Sequence, residues 1–588
     1  MEVTRLFDIL DNYLEKYPNQ DAALACKRNK QWVRFSIQEY VEMTNDLSYG
    51  LLALGIQPKD KVGIVGSNHP EWNMLDFAVM QIGAISVPVY PTISQEDYKH
   101  ILNHTEMNMI VFEGRALSQK LKPIFGEMKN LREIYTFFEQ GDEYKTLQHI
   151  MDLGRQNPQP EKLKELKNAI KGGDMATIIY TSGTTGLPKG VMLSHSNILG
   201  NVKTLAYIPL DWNVTALSFL PLCHAYERML VYLYQYRGMS VYYAENLGTI
   251  AENIKEINPN MMTCVPRLLE KIYDKLYVAG KDISFPQKQL YYWAFYLATK
   301  YKLENRSCWY KLQHKIADKL VYSKWRKAIG GNFDVVVSGG SAIQLHIAAF
   351  FTGIGMNIFE GYGLSETSPV IAVTQRIENG WKLGTVGLPL PGTEVRITNE
   401  GEIACRGHNV MLGYYKAPEL TAQVIDKDGW FHTGDLGEFT PQGQLKITGR
   451  LKSLFKTSFG KYVNPELIEN KFSESLFIET VVVLGENRQF AAALIVPDFE
   501  YLQSWCKNRN IPFTSREEVI EQPEVVKLYK KIVKTQNESF ADYEKVKRYH
   551  LISDEWTVEN GIMSPTLKVK RKVIEKRYAD IINHLFNK

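Results

Sequence analysis

Between Lys61 and Thr92 the chain passes from a short apolar run, Val62 to Gly66, through a helix-like segment, Pro70 to Gly83, into a second apolar run, Ile85 to Pro91. Two buried strands joined by a helix pair in parallel, because the crossover returns the chain to the same end of the sheet. Similar runs recur at Met109–Glu113, Met175–Tyr180, Ala216–Phe219, Ser240–Tyr243, Met261–Val265, Phe333–Val337 and Met356–Phe359. So many short buried strands imply more than one sheet. The pattern predicts an α/β protein, and 588 residues exceed what one hydrophobic core usually organises, so a second, smaller unit is expected.

After Gly384 the signals turn antiparallel. Glu394 to Gly407 and Gly437 to Arg450 each read as two strands, joined by Asn-Glu-Gly and Pro-Gln-Gly turns. Beyond Arg450 the pattern changes again, to a helix from Pro465, strands at Thr480–Leu484 and Ala491–Val496, and then long charged helices. A boundary is expected at Gly449–Lys452, dividing the chain into residues 1–450 and 451–588. The stretch from Asp282 to Gly331 is helical in character and rich in Tyr, Trp and Lys. It reads either as a surface helix pair, with lysine stems lying over aromatic rings, or as a membrane-facing patch.

Composition excludes several classes. Apolar residues at 45% and charged residues at 23% rule out a disordered or collagen-like chain, and a net charge of +4 gives no argument for a nucleic-acid partner. No run of about 18 apolar residues offers a membrane span. The segment after Met1 lacks the basic-then-apolar order of a signal peptide. Six cysteines, at 26, 223, 264, 308, 405 and 506, show no paired spacing, which argues against a zinc cluster or disulfide framework. A cytoplasmic location is expected.

The densest chemical signal is Tyr180-Thr-Ser-Gly-Thr-Thr-Gly-Leu-Pro-Lys-Gly190, directly after an apolar strand. Gly183 and Gly186 let the backbone curl so that successive N–H groups face one anion. Thr181, Ser182, Thr184 and Thr185 add hydroxyls, and Lys189 a positive charge. The spacing differs from that of a Walker loop, which ends in Gly-Lys-Ser/Thr.

This segment resembles the phosphate-binding signature of the adenylate-forming superfamily, and further motifs follow in the family's order. Gly361-Tyr-Gly-Leu-Ser-Glu-Thr367 resembles the motif whose tyrosine packs on adenine and whose glutamate holds magnesium. Trp430-Phe-His-Thr-Gly-Asp435 resembles the ribose-gripping motif. Gly449-Arg-Leu-Lys452 resembles the hinge, and Ser564-Pro-Thr-Leu-Lys568-Val-Lys-Arg571 the last motif, with Leu567 where a glycine is usual. Leu220-Pro-Leu-Cys-His-Ala-Tyr-Glu-Arg228 and Cys264-Val-Pro-Arg-Leu-Leu-Glu-Lys-Ile-Tyr273 resemble the bacterial long-chain acyl-CoA synthetase branch.

The resemblance implies a large N-terminal domain of stacked α/β sheets with a β-barrel-like subdomain, and a small mobile α+β domain hinged at Lys452. It implies that fatty acids are activated with ATP to an acyl-adenylate and passed to coenzyme A, releasing pyrophosphate and AMP. Lys568, Lys189, His224 and Glu366 are the catalytic candidates, and Thr184 with Glu366 the Mg²⁺ ligands. The nucleotide set is Thr181 to Gly186, Lys189, Gly340, Ser341, Ala342, Glu360, Gly361, Tyr362, Gly363, Ser365, Asp435, Arg450, Lys452 and Lys456. A lone histidine on an apolar stretch is more often a satisfied core residue; the neighbours of His224 point instead to the carboxylate site. Cys223 is expected to be inert. The rival within the resemblance is an acyl-AMP ligase that serves a carrier protein. Peripheral contact at the inner face of the membrane and a homodimer are the remaining expected partnerships.

Overall fold

The computed structural model describes residues 2–587 except 140, 142, 182–186, 209–214, 247, 331–332, 558–559 and 565–568; the Lys452 side chain is also outside the description. The chain divides into two compact units, Met1–Arg396 with Ala404–Thr433 and Phe439–Lys446, and Ile397–Ile403 with Gly434–Glu438 and Ile447–Lys588.

The first unit holds two large sheets. One has seven strands, in the order Gly413–Tyr414, Lys189–Ser194, Met175–Thr181, Ile85–Pro88, Lys61–Val65, Met109–Phe112 and Glu133–Thr136. Its last five strands are parallel, as the Lys61–Thr92 pattern requires, whereas Lys189–Ser194 runs antiparallel to both neighbours. The other sheet has nine strands, with Thr215–Ser218, Met261–Cys264, Val335–Ser338 and Asn357–Gly363 as parallel neighbours at its centre. Leu24–Arg28 and Gln31–Phe35 form its far edge, a hairpin that the sequence pattern did not suggest. Its turn residues Asn29 and Lys30 both have positive φ, 50° and 65°. That turn geometry usually advertises itself with Asn-Gly or Asp-Gly, and here the second residue is a lysine.

The helix Pro70–Gln81 shows why the first unit holds together. His69 caps it, Pro70 occupies its first turn, and Gly83 (φ 77°) turns the chain away just beyond its end. All twelve of its residues are buried, because it touches strands of both sheets. Burial on every side explains an apolar pattern without a polar face. Of its two buried carboxylates, Glu71 pairs with Arg28, and Asp76 meets Arg228 of the Ala225–Tyr236 helix in a fully buried pair, Nη2–Oδ1 2.5 Å and Nε–Oδ2 3.0 Å. Tyr232 donates to the same carboxylate, Ser86 donates to it at 2.7 Å, and Arg228 Nη1 donates to Thr177 Oγ1 at 2.8 Å. The charge pair is thereby saturated with hydrogen bonds, the condition under which buried ions are tolerated.

The strands Thr393–Ile397, Glu402–Gly407, Phe431–Phe439 and Leu445–Arg450 form a four-stranded sheet in the region where the two hairpins were expected. The second unit from Ile447 to Lys588 is α+β. Ile478–Leu484 and Ala491–Pro497 pair antiparallel, Val546–Leu551 joins in parallel, and Ile468, Phe472, Leu494 and Tyr529 lie in the core beside them. All six cysteines are free; five are buried and Cys308 alone is exposed.

Candidate active site

The Gly/Thr loop lies between two paired strands. Met175–Thr181 and Lys189–Ser194 are antiparallel neighbours with Thr181 opposite Lys189. The paired strands hold both ends of the loop, although Ser182, Gly183, Thr184, Thr185 and Gly186 themselves lie outside the described residues. His100 Nε2 contacts the Pro188 carbonyl at 3.0 Å, and His104 Nδ1 the Tyr180 hydroxyl at 2.6 Å, so a neighbouring helix supports the same two ends.

Strand pairing also brings the carboxylate of the second motif to this hairpin. Gly413 and Tyr414 pair with Met192 and Val191 on the outer side of the Lys189 strand. The Tyr414 hydroxyl donates to Glu366 Oε1 at 2.9 Å, and the Met411 amide donates to the Glu366 carbonyl at 2.9 Å. Lys189 Nζ lies 5.4 Å from the centre of the Tyr414 ring, a cation–π distance. Burial beside Glu366 raises the Tyr414 hydroxyl, which therefore stays protonated and keeps donating. Tyr414 joins the ammonium to the carboxylate, a role the sequence did not reveal. Its only local signal is a tyrosine pair before Lys416.

A magnesium ion takes oxygen ligands and keeps waters and phosphate oxygens, so one carboxylate oriented by a phenol suits it better than a protein cage. Among the described residues no group of three or more His, Cys, Asp or Glu could hold a metal ion. Glu366 fits the first description; its expected partner Thr184 lies outside the described residues.

The other motif residues of the first unit lie on or just after interior strands of the nine-stranded sheet. Glu360, Gly361, Tyr362 and Gly363 belong to the strand Asn357–Gly363, and Ser365 opens the short helical turn that carries Glu366. Burial pushes the Glu360 carboxyl up to about 8, leaving it neutral at pH 7, which suits a pocket expected to take a polyanion. Gly340, Ser341 and Ala342 follow the strand Val335–Ser338 and are exposed, with Gly340 at φ 82°. Beside them, a side chain at Gly339 would meet the Tyr226 ring at 2.9 Å, so glycine is needed for that close approach.

His224 stands at the N-cap of the Ala225–Tyr236 helix, where its Nδ1 accepts from the Tyr226 amide at 3.2 Å. The histidine is a structural cap and also remains partly exposed. Its ring is 6.4 Å from that of Tyr90, whose buried hydroxyl has no partner among the described residues. Asn68 clamps the approach to His224: its amide donates to the Leu220 carbonyl at 2.7 Å and accepts from the Leu222 amide at 3.1 Å. Neither Tyr90 nor Asn68 stood out in the sequence. Burial raises the Cys223 thiol strongly, in keeping with an inert sulfur.

Glu227, fully buried on the same helix, accepts from the Thr263 hydroxyl at 2.7 Å, yet burial lifts its carboxyl from 4.5 to about 7. Between those values the folded chain holds a proton that the unfolded chain has released, so stability falls as pH rises through this window. Glu227→Gln should match the wild type near about pH 5 and melt higher near about pH 8. Melting curves across that range check it; parallel curves for the two proteins would refute the assignment.

In the second unit, Asp435 is buried and held by Arg450, Nε–Oδ1 2.9 Å, while the Gly434 amide donates to Glu402 at 2.8 Å. Lys452 falls in the short turn Leu451–Ser453. Lys456 is exposed, with its Nζ 5.6 Å from the Tyr462 ring. Lys568 lies outside the described residues. Two residues on, Lys570 occupies the N-cap position of the Arg571–Arg577 helix, and Arg571 pairs with Glu469 at 2.6 Å.

Comparison with known proteins places the chain in a family. The chain matches the family model described as AMP-binding enzyme over residues 10–415, and that of the AMP-binding enzyme C-terminal domain over residues 453–588. The long-chain-fatty-acid–CoA ligase FadD15 of Mycobacterium tuberculosis is 32% identical over 569 residues, covering 95% of this chain and 93% of that protein. The human long-chain-fatty-acid–CoA ligase 1 is 28% identical over 635 residues, covering 100% and 87%. Among solved structures, the adenylation domain of a carboxylate reductase from Mycobacterium chelonae superposes with a TM-score of 0.79 at 20% identity, covering 99% and 91%. A fatty acyl CoA synthetase of Mycobacterium tuberculosis gives 0.62 at 18%, covering 98% and 99%; at such identities the likeness is one of fold. With both models matched in order along nearly its whole length, the chain belongs to the AMP-binding enzymes.

Proposed function

We propose that the chain is a long-chain fatty acid–CoA ligase, which activates its acid with ATP and passes the acyl group to coenzyme A. The observation that carries the adenylation step is the convergence of Lys189, Tyr414 and Glu366 beside the Gly/Thr hairpin. The choice of a fatty acid and of CoA rests on the full-length likeness to ligases of that name.

A carboxylate is a poor electrophile because its leaving group is bad; joining it to the α-phosphate makes AMP the leaving group. That step gathers negative charge, which fixed cations and donors stabilise without reorganising. Lys189 supplies one such cation at the hairpin. Bound Mg²⁺ would neutralise phosphate oxygens, with Glu366 as its protein ligand. His224, with Nδ1 engaged by the helix, is proposed to help shape the site that receives the acid. No enzyme nucleophile is required. In the second half-reaction the CoA thiol attacks the acyl carbon and AMP departs. Each buried methylene of a long chain adds roughly 0.8 kcal/mol, so chain length is read by apolar contact.

Lys568 is proposed to act from the second unit during adenylation, with Lys452 as hinge. Lys568→Ala should slow adenylation at least about a hundredfold and spare thioester formation from supplied acyl-adenylate. Equal losses in the two half-reactions would remove Lys568 from this role. The proposed function is tested by incubating the protein with ATP, Mg²⁺ and a panel of C8–C18 acids, with and without CoA, and reading products by mass spectrometry. Acyl-CoA and AMP are expected when CoA is present. Acyl-adenylate that persists unchanged in the presence of CoA would instead favour a carrier-linked ligase.

A further inference from the structure

The helix Cys308–Ala317 and the wide turn Asp318–Tyr322 that continues it have two faces. The inner face is anchored: the Tyr310 hydroxyl donates to the Leu297 carbonyl at 2.9 Å and that of Tyr322 to the Ala294 carbonyl at 2.8 Å, while Ala317 and Val321 are buried. The outer face should then be polar, and it is not. Trp309, Leu312, Ile316 and Leu320 recur at steps of three, four and four, which places them along one ridge. They are 67%, 51%, 45% and 43% exposed. Lys311, Lys315 and Lys319, all exposed, recur at steps of four and run beside that ridge. From Cys308 to Ile329 there are six basic residues and one acidic, Asp318, which pairs with Arg326.

We infer that this ridge docks on an anionic lipid surface, its apolar residues entering the boundary of headgroups and acyl chains while the lysines meet lipid phosphates. An exposed apolar stripe flanked by lysines is the pattern of an interfacial helix, and the surplus of positive charge selects an anionic surface over a neutral one. No helix among the described residues is long and apolar enough to cross a membrane, so contact of this kind is peripheral. The inference gives a location to the membrane contact expected of an enzyme with a lipid substrate, and in that respect rests on the proposed function.

The test is flotation of the full chain with vesicles of phosphatidylglycerol and phosphatidylcholine, or of phosphatidylcholine alone. Wild type should float with the mixed vesicles at low salt, and at least about tenfold less in about 0.5 M NaCl. Leu312→Glu with Ile316→Glu should weaken binding at least about tenfold, leaving the melting temperature and turnover of monomeric octanoate unchanged. Equal flotation of wild type and double variant would overturn the inference. So would a wild-type dimer, converted to monomer by the same substitutions, that fails to float, since the ridge would then join two copies. Flotation requires neither ATP nor CoA, so its failure would leave the ligase proposal standing; absence of acyl-CoA synthesis would not affect the flotation result.

Discussion

Replacing Glu366 by glutamine should lower fatty-acid-dependent ATP–pyrophosphate exchange by about 10²–10³, the range seen when one preorganised charge-stabilising group is removed. Glutamine keeps the shape and can still accept from the Tyr414 hydroxyl, now 2.9 Å away, but it no longer offers an anionic oxygen to a divalent cation. The exchange assay run across a magnesium series should therefore show a higher requirement for the metal, with an unchanged melting temperature. Tyr414→Phe removes the donor but leaves a ring beneath Lys189. A hydrogen bond to a charged group contributes about 1.5–3 kcal/mol, so this variant should lose about ten- to a hundredfold. If Glu366→Gln exchanges at the wild-type rate, the carboxylate has no part in adenylation.

The second large effect concerns stability. Arg228 and Asp76 are both fully buried, and removing either leaves the other charged and unpaired away from water. Arg228→Met should cost about 3–5 kcal/mol, read as a lower urea midpoint of the transition that reports the first unit. Adding Asp76→Leu should recover much of the loss, because replacing both ions with apolar groups removes the uncompensated charge. A double variant no more stable than the single would show that the cost comes from lost packing. Activity should fall with the single variant as well. Arg228 also holds Thr177, four residues before Thr181 on the strand that leads into the Gly/Thr loop, and it shares a helix with the His224 cap.

Much of this architecture was legible because it rests on local signals. The Lys61–Thr92 alternation gave the parallel sheet, and the helix from Pro70 is capped by His69 and followed by Gly83 as its punctuation implies. The motif residues were likewise readable, since Gly, Thr and Lys at close spacing need no knowledge of the fold. What escaped were contacts made across strand register. Tyr414 reaches Glu366 only because Gly413–Tyr414 pairs with Val191–Met192, more than two hundred residues earlier. Asp76 looks like one more polar residue in a helix until two sheets close around it. The hairpin at Asn29–Lys30 was missed for a third reason, since the second residue of its turn is Lys30, a lysine at positive φ where a glycine would have signalled the turn.

The distribution of the cysteines has a practical consequence. Five thiols are buried, and the sixth, Cys308, is exposed at the start of the helix that carries the apolar ridge, next to Trp309. A thiol-directed fluorophore applied to the native chain meets one accessible sulfur. The unaltered protein therefore accepts a single label beside that ridge, without prior removal of the other cysteines.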